Sequence, residues 1–395
     1  MWFTWLASRL FFGVRLCLPA VMVAVPGGYA SSLAEIVEAP AEFPMTLTVC
    51  TLMRHINRVL NRCSAALAFA TALGFGGLST ASHAASAAPA LAPMTIGVVI
   101  WIGYGPFYVA DALGLWKNHG MKVRLQVFND PALIPPAMAG NAVEGGVITY
   151  DQVIGQDAKG QHQAVVMPVD YSDGGDAIVA ATSVKTVADF KGQKIAFNSL
   201  SPSDFLLSYA LSTQKLSEKD IVVADMTPES IPAAMVSGRI KVGVTYEPFV
   251  SQITQQNGGK DFRVIYSSHD AFGLICDVLA FERKQIQQHP AEIKAVMQGY
   301  FDGLDYMQKN PEKAAVLIGK FMGISPAEVK TQMHAMHNPT LQEMLANLTR
   351  TNSTASFAVS APIIGKILKS KGQIEKEPPF EETVDDEFLK ALAAH

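Results

Sequence analysis

The stretch from Thr95 to Val127, TIGVVIWIGYGPFYVADALGLWKNHGMKVRLQV, constrains the fold more than any other part of the chain. An apolar run at Ile96–Ile100 reads as a buried strand. Gly103, Gly105 and Pro106 turn the chain, and Phe107–Trp116 then carries apolar residues at helical spacing, with Gly120 as a stop. A second strand pattern follows at Val123–Val127. Strand, loop, helix and strand within about thirty residues make one parallel crossover, so an α/β fold is expected. The connecting loop carries Trp101 and Tyr104, which are poorly placed there for a core. In open α/β sheets such a loop lies at the carboxyl end of the strand, where ligands bind.

The alternation continues. Strand patterns recur at Val143–Thr149, Ala164–Val169, Ala177–Ala181, Ile195–Phe197, Val222–Asp225, Val242–Thr245, Val264–Tyr266 and Cys276–Phe281. A helix is expected over Ser203–Gln214. Residues 291–392 read as mostly helical, with Pro311, Pro326, Pro339 and Pro362 separating the segments. This order predicts two lobes. Residues 94–181 and 275–395 form the first and 182–274 the second, with the chain crossing between them near Ala181 and again near Gly273.

The N-terminal region has a different character. From Met53 the chain carries Arg54, Arg58 and Arg62, then an apolar run over Ala65–Leu78, then small residues at Ala81–Ala84. That is the pattern of a secretory signal peptide over residues 53–84. Residues 1–52 are then expected to be an over-extended start outside the mature protein, with 85–93 as a flexible lead-in. Only Cys276 follows the leader, so no internal disulfide is expected. Removing residues 1–84 takes away five Lys/Arg of 31 and three Asp/Glu of 35. The remaining 26 bases and 32 acids give a net charge of −6. No basic cluster interleaves with aromatics, so nucleic acid is not an expected partner.

A cleft between two lobes needs polar groups at strand ends and helix starts. Thr149 ends one strand pattern. The segment Asp170–Asp176 holds three aspartates and two adjacent glycines, which let backbone approach a ligand. It lacks the spacing and closing glutamate of an EF-hand calcium loop. Asn198–Asp204 precedes a helix, so Ser199 and Ser201 are candidates for a ligand contact, while Ser201 or Ser203 can also serve as an ordinary N-cap. Tyr246 can form an apolar wall. Glu247 can accept hydrogen bonds from an amine or anchor its own loop. His334 and His337 stand three apart without a third ligand at metal spacing, and no P-loop, dinucleotide fingerprint or nucleophile elbow occurs.

Several of these segments also form a family pattern. Trp101–Ala110 reads W-x-G-Y-x-P-x-Y-x-A, and Gly114–Val123 reads G-L-W-K-x-x-G-x-x-V. Together they resemble the opening of the solute-binding proteins of ABC importers. The group is the nitrate/sulfonate/taurine type, which includes binders of thiamine-precursor pyrimidines. Further on, Asp170–Ala180 is similar to that family's D-x-S-x-G-x-D-x-I-V-A segment. Tyr246-Glu247-Pro248-Phe249 is similar to its W-E-P-[YF] loop, with Tyr in place of Trp. Asn198 stands where its ligand-facing turn has glycine. Asp277-Val278-Leu279 resembles its D-V-L motif, as a hinge or a cleft residue. The likeness spans roughly residues 94–375.

The resemblance implies a type II periplasmic binding protein with two lobes, each a mostly parallel sheet flanked by helices. It implies a monomer without enzymatic activity, cofactor or metal. Its partners are a small-molecule ligand and an inner-membrane ABC permease with its cytoplasmic ATPase. The ligand would be held by Trp101, Tyr104, Thr149, Asp176, Ser199, Ser201, Tyr246 and Glu247. The many carboxylates point to a taurine-like zwitterion, or to an aminopyrimidine between Trp101 and Tyr246, ahead of nitrate. Two alternatives share the fold. One is a periplasmic ligand sensor. The other is an enzyme of the thiamine-pyrimidine synthesis type, whose cysteine-rich segment is missing here.

Overall fold

The computed structural model describes residues 91–394. The expected leader and lead-in up to residue 90 lie outside the described residues. The expected crossover is present. Strand β1 (Met94–Val98) leads through the helix Gly105–Leu113 to β2 (Val123–Val127), which pairs with β1 in parallel. The helix is shorter than its apolar spacing predicts. Gly114 and Gly120 both adopt left-handed backbone and frame a separate 3-10 turn, Leu115–His119.

Further strands are β3 (Gly145–Thr149), β4 (Gln163–Ser172), β5 (Asp176–Ala181), β6 (Lys194–Phe197), β7 (Val222–Asp225) and β8 (Val242–Tyr246). The last are β9 (Phe262–Ser267), β10 (Cys276–Glu282) and β11 (Met336–His337). They form two sheets, a six-stranded one in the order β11-β4-β10-β3-β1-β2 and a five-stranded one in the order β7-β6-β8-β5-β9. This is the expected two-sheet α/β class. The pairing is mixed rather than mostly parallel. β10 runs antiparallel to β3 and β4, and β5 runs antiparallel to β8 and β9.

The first boundary between the sheets falls earlier than the sequence suggests. The strand Asp176–Ala181 pairs in the second sheet, so the chain crosses at Asp173–Gly175. The reason is that β4 does not stop at Val169. Asp170, Tyr171 and Ser172 continue it, held by β10 and β11. Two apolar strands in succession read as neighbours in one sheet, whereas the polar loop between them is the crossing. The second crossing lies between Ser267 and Cys276 and includes Gly273. The two crossings touch, with Ser172 Oγ and Ser268 Oγ 2.8 Å apart and Gly174 N–H donating to Ser268 Oγ at 2.7 Å.

Proline opens three of the C-terminal helices, Pro290–Lys309, Pro311–Met322 and Pro326–Gln332, where its missing N–H loses nothing. Pro362 does not separate segments. It lies inside the helix Phe357–Ser370, whose apolar face is buried through Ile364, Ile367 and Leu368. The long helix Pro290–Lys309 packs on the first crossover unit. Trp116 is buried against Gly299 and donates its indole N–H to Val296 O at 3.1 Å. The C-terminal helices thereby fix the turn that follows β1.

Candidate functional site

Trp101, Tyr104, Thr149, Asp176 and Tyr246 converge on one cavity between the two sheets, with Val99, Gln152 and Asp277 also on its wall. The topology brings them together at strand ends. Thr149 closes β3 directly opposite Asp277 of β10, and Tyr246 closes β8 directly opposite Asp176 of β5. Antiparallel pairing puts the start of one strand beside the end of its neighbour, so both sheets present polar residues to the same gap.

The turn after β1 is shaped by what it must avoid. A side chain at Gly103 would collide with the Asp170 carboxylate and the Trp101 indole. Without one, Trp101 Nε1 donates to Asp170 Oδ1 and Oδ2 at 3.2 and 3.1 Å. Tyr104 donates its hydroxyl to Asp277 Oδ1 at 2.5 Å. Thr149 also caps the helix Tyr150–Asp157 in a reciprocal box with Gln152. The Gln152 amide in turn donates to Pro131 O at 3.2 Å and, across the gap, to Leu200 O at 3.1 Å.

The site is acidic and buried. Asp170, Asp176 and Asp277 are 0%, 3% and 5% exposed. Burial pushes the Asp176 carboxyl up to about 7, with a hydrogen bond from Ser172 opposing and the nearby Asp151 adding. Burial also raises Asp277 far above the carboxylate range, and the charge of Asp170 raises it further. Asp170 is raised by burial too, against the Trp101 hydrogen bond. This pair tolerates one negative charge rather than two. Burial, then the neighbouring carboxylates, keep the Tyr104 phenol protonated as a donor. No Lys, Arg or His lines the cavity among the described residues.

The space is narrow, about 20 Å³, which is room for a single water. A ligand of several heavy atoms requires the sheets to stand further apart. Trp101 and Tyr246 meet edge to face across the gap, with centroids 5.9 Å apart and planes at 87°. The expected parallel sandwich of a flat ligand is therefore absent in this arrangement, because the two rings contact each other.

Three of the expected ligand contacts lie elsewhere. Ser201 is buried as the N-cap of the helix Pro202–Thr213, accepting from Ser203 N at 3.2 Å and donating to Asn198 O at 2.6 Å. Ser199 does not line the cavity, and its N–H is taken by Asp225 Oδ1 at 3.0 Å. Glu247 caps the helix Phe249–Thr254, accepting from Ser251 N at 3.0 Å and Ser251 Oγ at 2.9 Å. For Ser201 and Glu247 local backbone groups use the oxygens that a ligand would need; for Ser199 the Asp225 side chain takes the N–H. Conversely, Asp170, Gln152 and Asp277 stand at or beside the cavity. Asp277 carried a sequence signal in its D-V-L motif and Asp170 in its D-x-S-x-G-x-D segment; Gln152 carried none.

A second polar cluster ties the sheets together beside the site. Lys371, 10% exposed at its side chain, bonds Asp204 Oδ1 at 2.6 Å and Ser208 Oγ at 2.8 Å, and also pairs with Glu218. Gln373 donates to the other Asp204 oxygen at 3.0 Å. Among the described residues no helix is long and apolar enough to cross a membrane.

Comparison with known proteins agrees with this architecture. A Brucella abortus protein, named as a candidate binding protein, is 23% identical over 263 residues, covering 66% of this chain and 81% of that one. The crystal structure of the periplasmic aliphatic sulphonate binding protein of Escherichia coli superposes with a TM-score of 0.59 at 19% identity. It covers 73% of this chain and 96% of that chain. The periplasmic nitrate-binding protein of Synechocystis PCC 6803 gives 0.61 at 14% identity, covering 78% and 90%. All three are named as binding proteins rather than enzymes. The family model described as NMT1/THI5 like matches residues 101–314, more than half of the sequence, and the chain belongs to that family.

Proposed function

We propose that this protein is the periplasmic substrate-binding component of an ABC importer, and that its ligand is a small organic molecule bearing an amino group. The observation that carries the ligand class is the pair Asp176 and Asp277, buried on the wall of one cavity that no basic side chain lines among the described residues, with the buried Asp170 held behind it by Trp101. A buried carboxylate without a cation is held neutral by its surroundings, and a ligand cation or amine donor reverses that. Trp101, Tyr104 and Tyr246 supply flat apolar walls, which suit an aminopyrimidine-like ring. A sulfonate or nitrate finds fewer donors. The Ser199 and Leu200 N–H groups, which open the turn before the helix Pro202–Thr213, already bond Asp225 and Asp204.

The ligand enters with the sheets apart and is enclosed as they approach about the crossings at Asp173–Gly175 and Ser268–Ile275. The enclosed form is the one offered to the permease and its ATPase. Titration calorimetry with an aminopyrimidine, taurine and nitrate tests the reading. The expected order is aminopyrimidine first, taurine weaker and nitrate undetectable. Tight binding of nitrate alone refutes it.

A further inference from the structure

A further cavity lies behind the turn Trp101–Gly105, not in front of it. It measures about 530 Å³, within the usual range for small-molecule sites. Met307, Ile318 and Met336 form part of an apolar floor, all buried. Lys330, His334 and His337 lie on its wall and are exposed to solvent. Among the described residues no carboxylate lines it. This is the opposite of the cleft, which is lined by acids and no bases.

We propose that this cavity is a second binding site, for an amphiphile with an apolar body and an anionic head. The body lies on the methionine and isoleucine floor, where burial of apolar surface drives binding. The head meets Lys330 and the two histidines. Lys330 now pairs with Glu312 at 3.1 Å and His337 with Glu343 at 3.2 Å. Both pairs are solvent-exposed and therefore weak, so a bound anion can displace them.

The site is joined to the cleft through short contacts. Ala335 O accepts from Asp173 N at 2.9 Å and Gly175 N at 3.0 Å, the first crossing between the sheets. Asn338 Nδ2 donates to Gly103 O at 2.8 Å and Val169 O at 3.0 Å. Met307 and Ile318 back directly onto Gly105. An occupant of the rear cavity thus presses on the turn that holds Trp101 and Tyr104.

Calorimetry with decanoate below its micelle threshold tests the proposal, with decyltrimethylammonium and acetate as controls. One decanoate per chain is expected. Decyltrimethylammonium should bind at least tenfold more weakly, and acetate should give no heat. Ala315→Phe, which fills the floor, should abolish decanoate binding. The surface double variant Lys330→Gln/His334→Gln should weaken it about five- to tenfold while leaving the fold intact. Equal binding of the cation, several decanoates per chain, no decanoate heat at all, or full affinity in the double variant would each overturn the proposal.

Discussion

Asp277 of β10 stands directly opposite Asp170 of β4, both buried, and each receives a different aromatic donor from one turn, Tyr104 for the first and Trp101 for the second. Two acids brought together without a base are unfavourable in an unliganded fold. A positively charged or proton-donating partner relieves such a pair. The amine-bearing ligand proposed above does so.

Tyr104→Phe isolates one of these contacts. It removes the donor to Asp277 and leaves a buried carboxyl oxygen without its partner. A loss of about 1–3 kcal/mol in urea unfolding is expected, with weaker binding of the ligand. An unchanged midpoint would show that the hydroxyl contact contributes nothing.

Asp176→Asn should separate stability from binding. The folded carboxyl titrates near 7, above its unfolded value, chiefly because it is buried. Below about pH 4 the acid is neutral in both states and has no effect. Between about pH 4 and 7 the unfolded chain gives up its proton and the folded one keeps it, so stability falls as pH rises. Above about pH 7 the loss is complete, on the order of 4 kcal/mol. Asp176→Asn should therefore melt higher than the natural protein at pH 8, equal it at pH 4, and bind an amine poorly.

Ligand affinity should follow the same group. A cation favours the ionised carboxylate, so its binding should tighten between pH 5.5 and 8 and release protons. Calorimetry in buffers of different ionisation heat measures that release. Proton uptake, or affinity that falls over this interval, would contradict the acidic-cleft reading.

Lys371→Ala tests the tie between the sheets. It leaves Asp204 buried without its cation, although Leu200 N and Gln373 still donate to it. A loss of about 3 kcal/mol is expected in denaturant unfolding. The double variant Lys371→Met with Asp204→Leu should recover much of it.

The parts of the molecule legible in the sequence were those set by local pattern. Apolar runs ending in turns marked most of the strands, and an aromatic loop after β1 pointed at the cleft, although its Trp101 and Tyr104 line the cavity as part of the buried core rather than outside it. Asp170 was legible only as part of a polar segment and not as a partner of Asp277. It looks like the start of a loop, and only the register of β10 against β4 turns it inward beside Asp277. Glu247 and Ser201 stand off the cavity for the reverse reason. A capping group and a ligand-binding group look the same in sequence, and the structure gives both to neighbouring backbone. Pro362 read as a helix break, but the buried face of Phe357–Ser370 holds the helix through it.

Mass spectrometry of the small molecule that co-purifies with the native protein tests the central claim most directly. A compound carrying an amine or a fixed positive charge is the expected result. A sulfonate, nitrate or carboxylate with no amino group, released in stoichiometric amount, would contradict it.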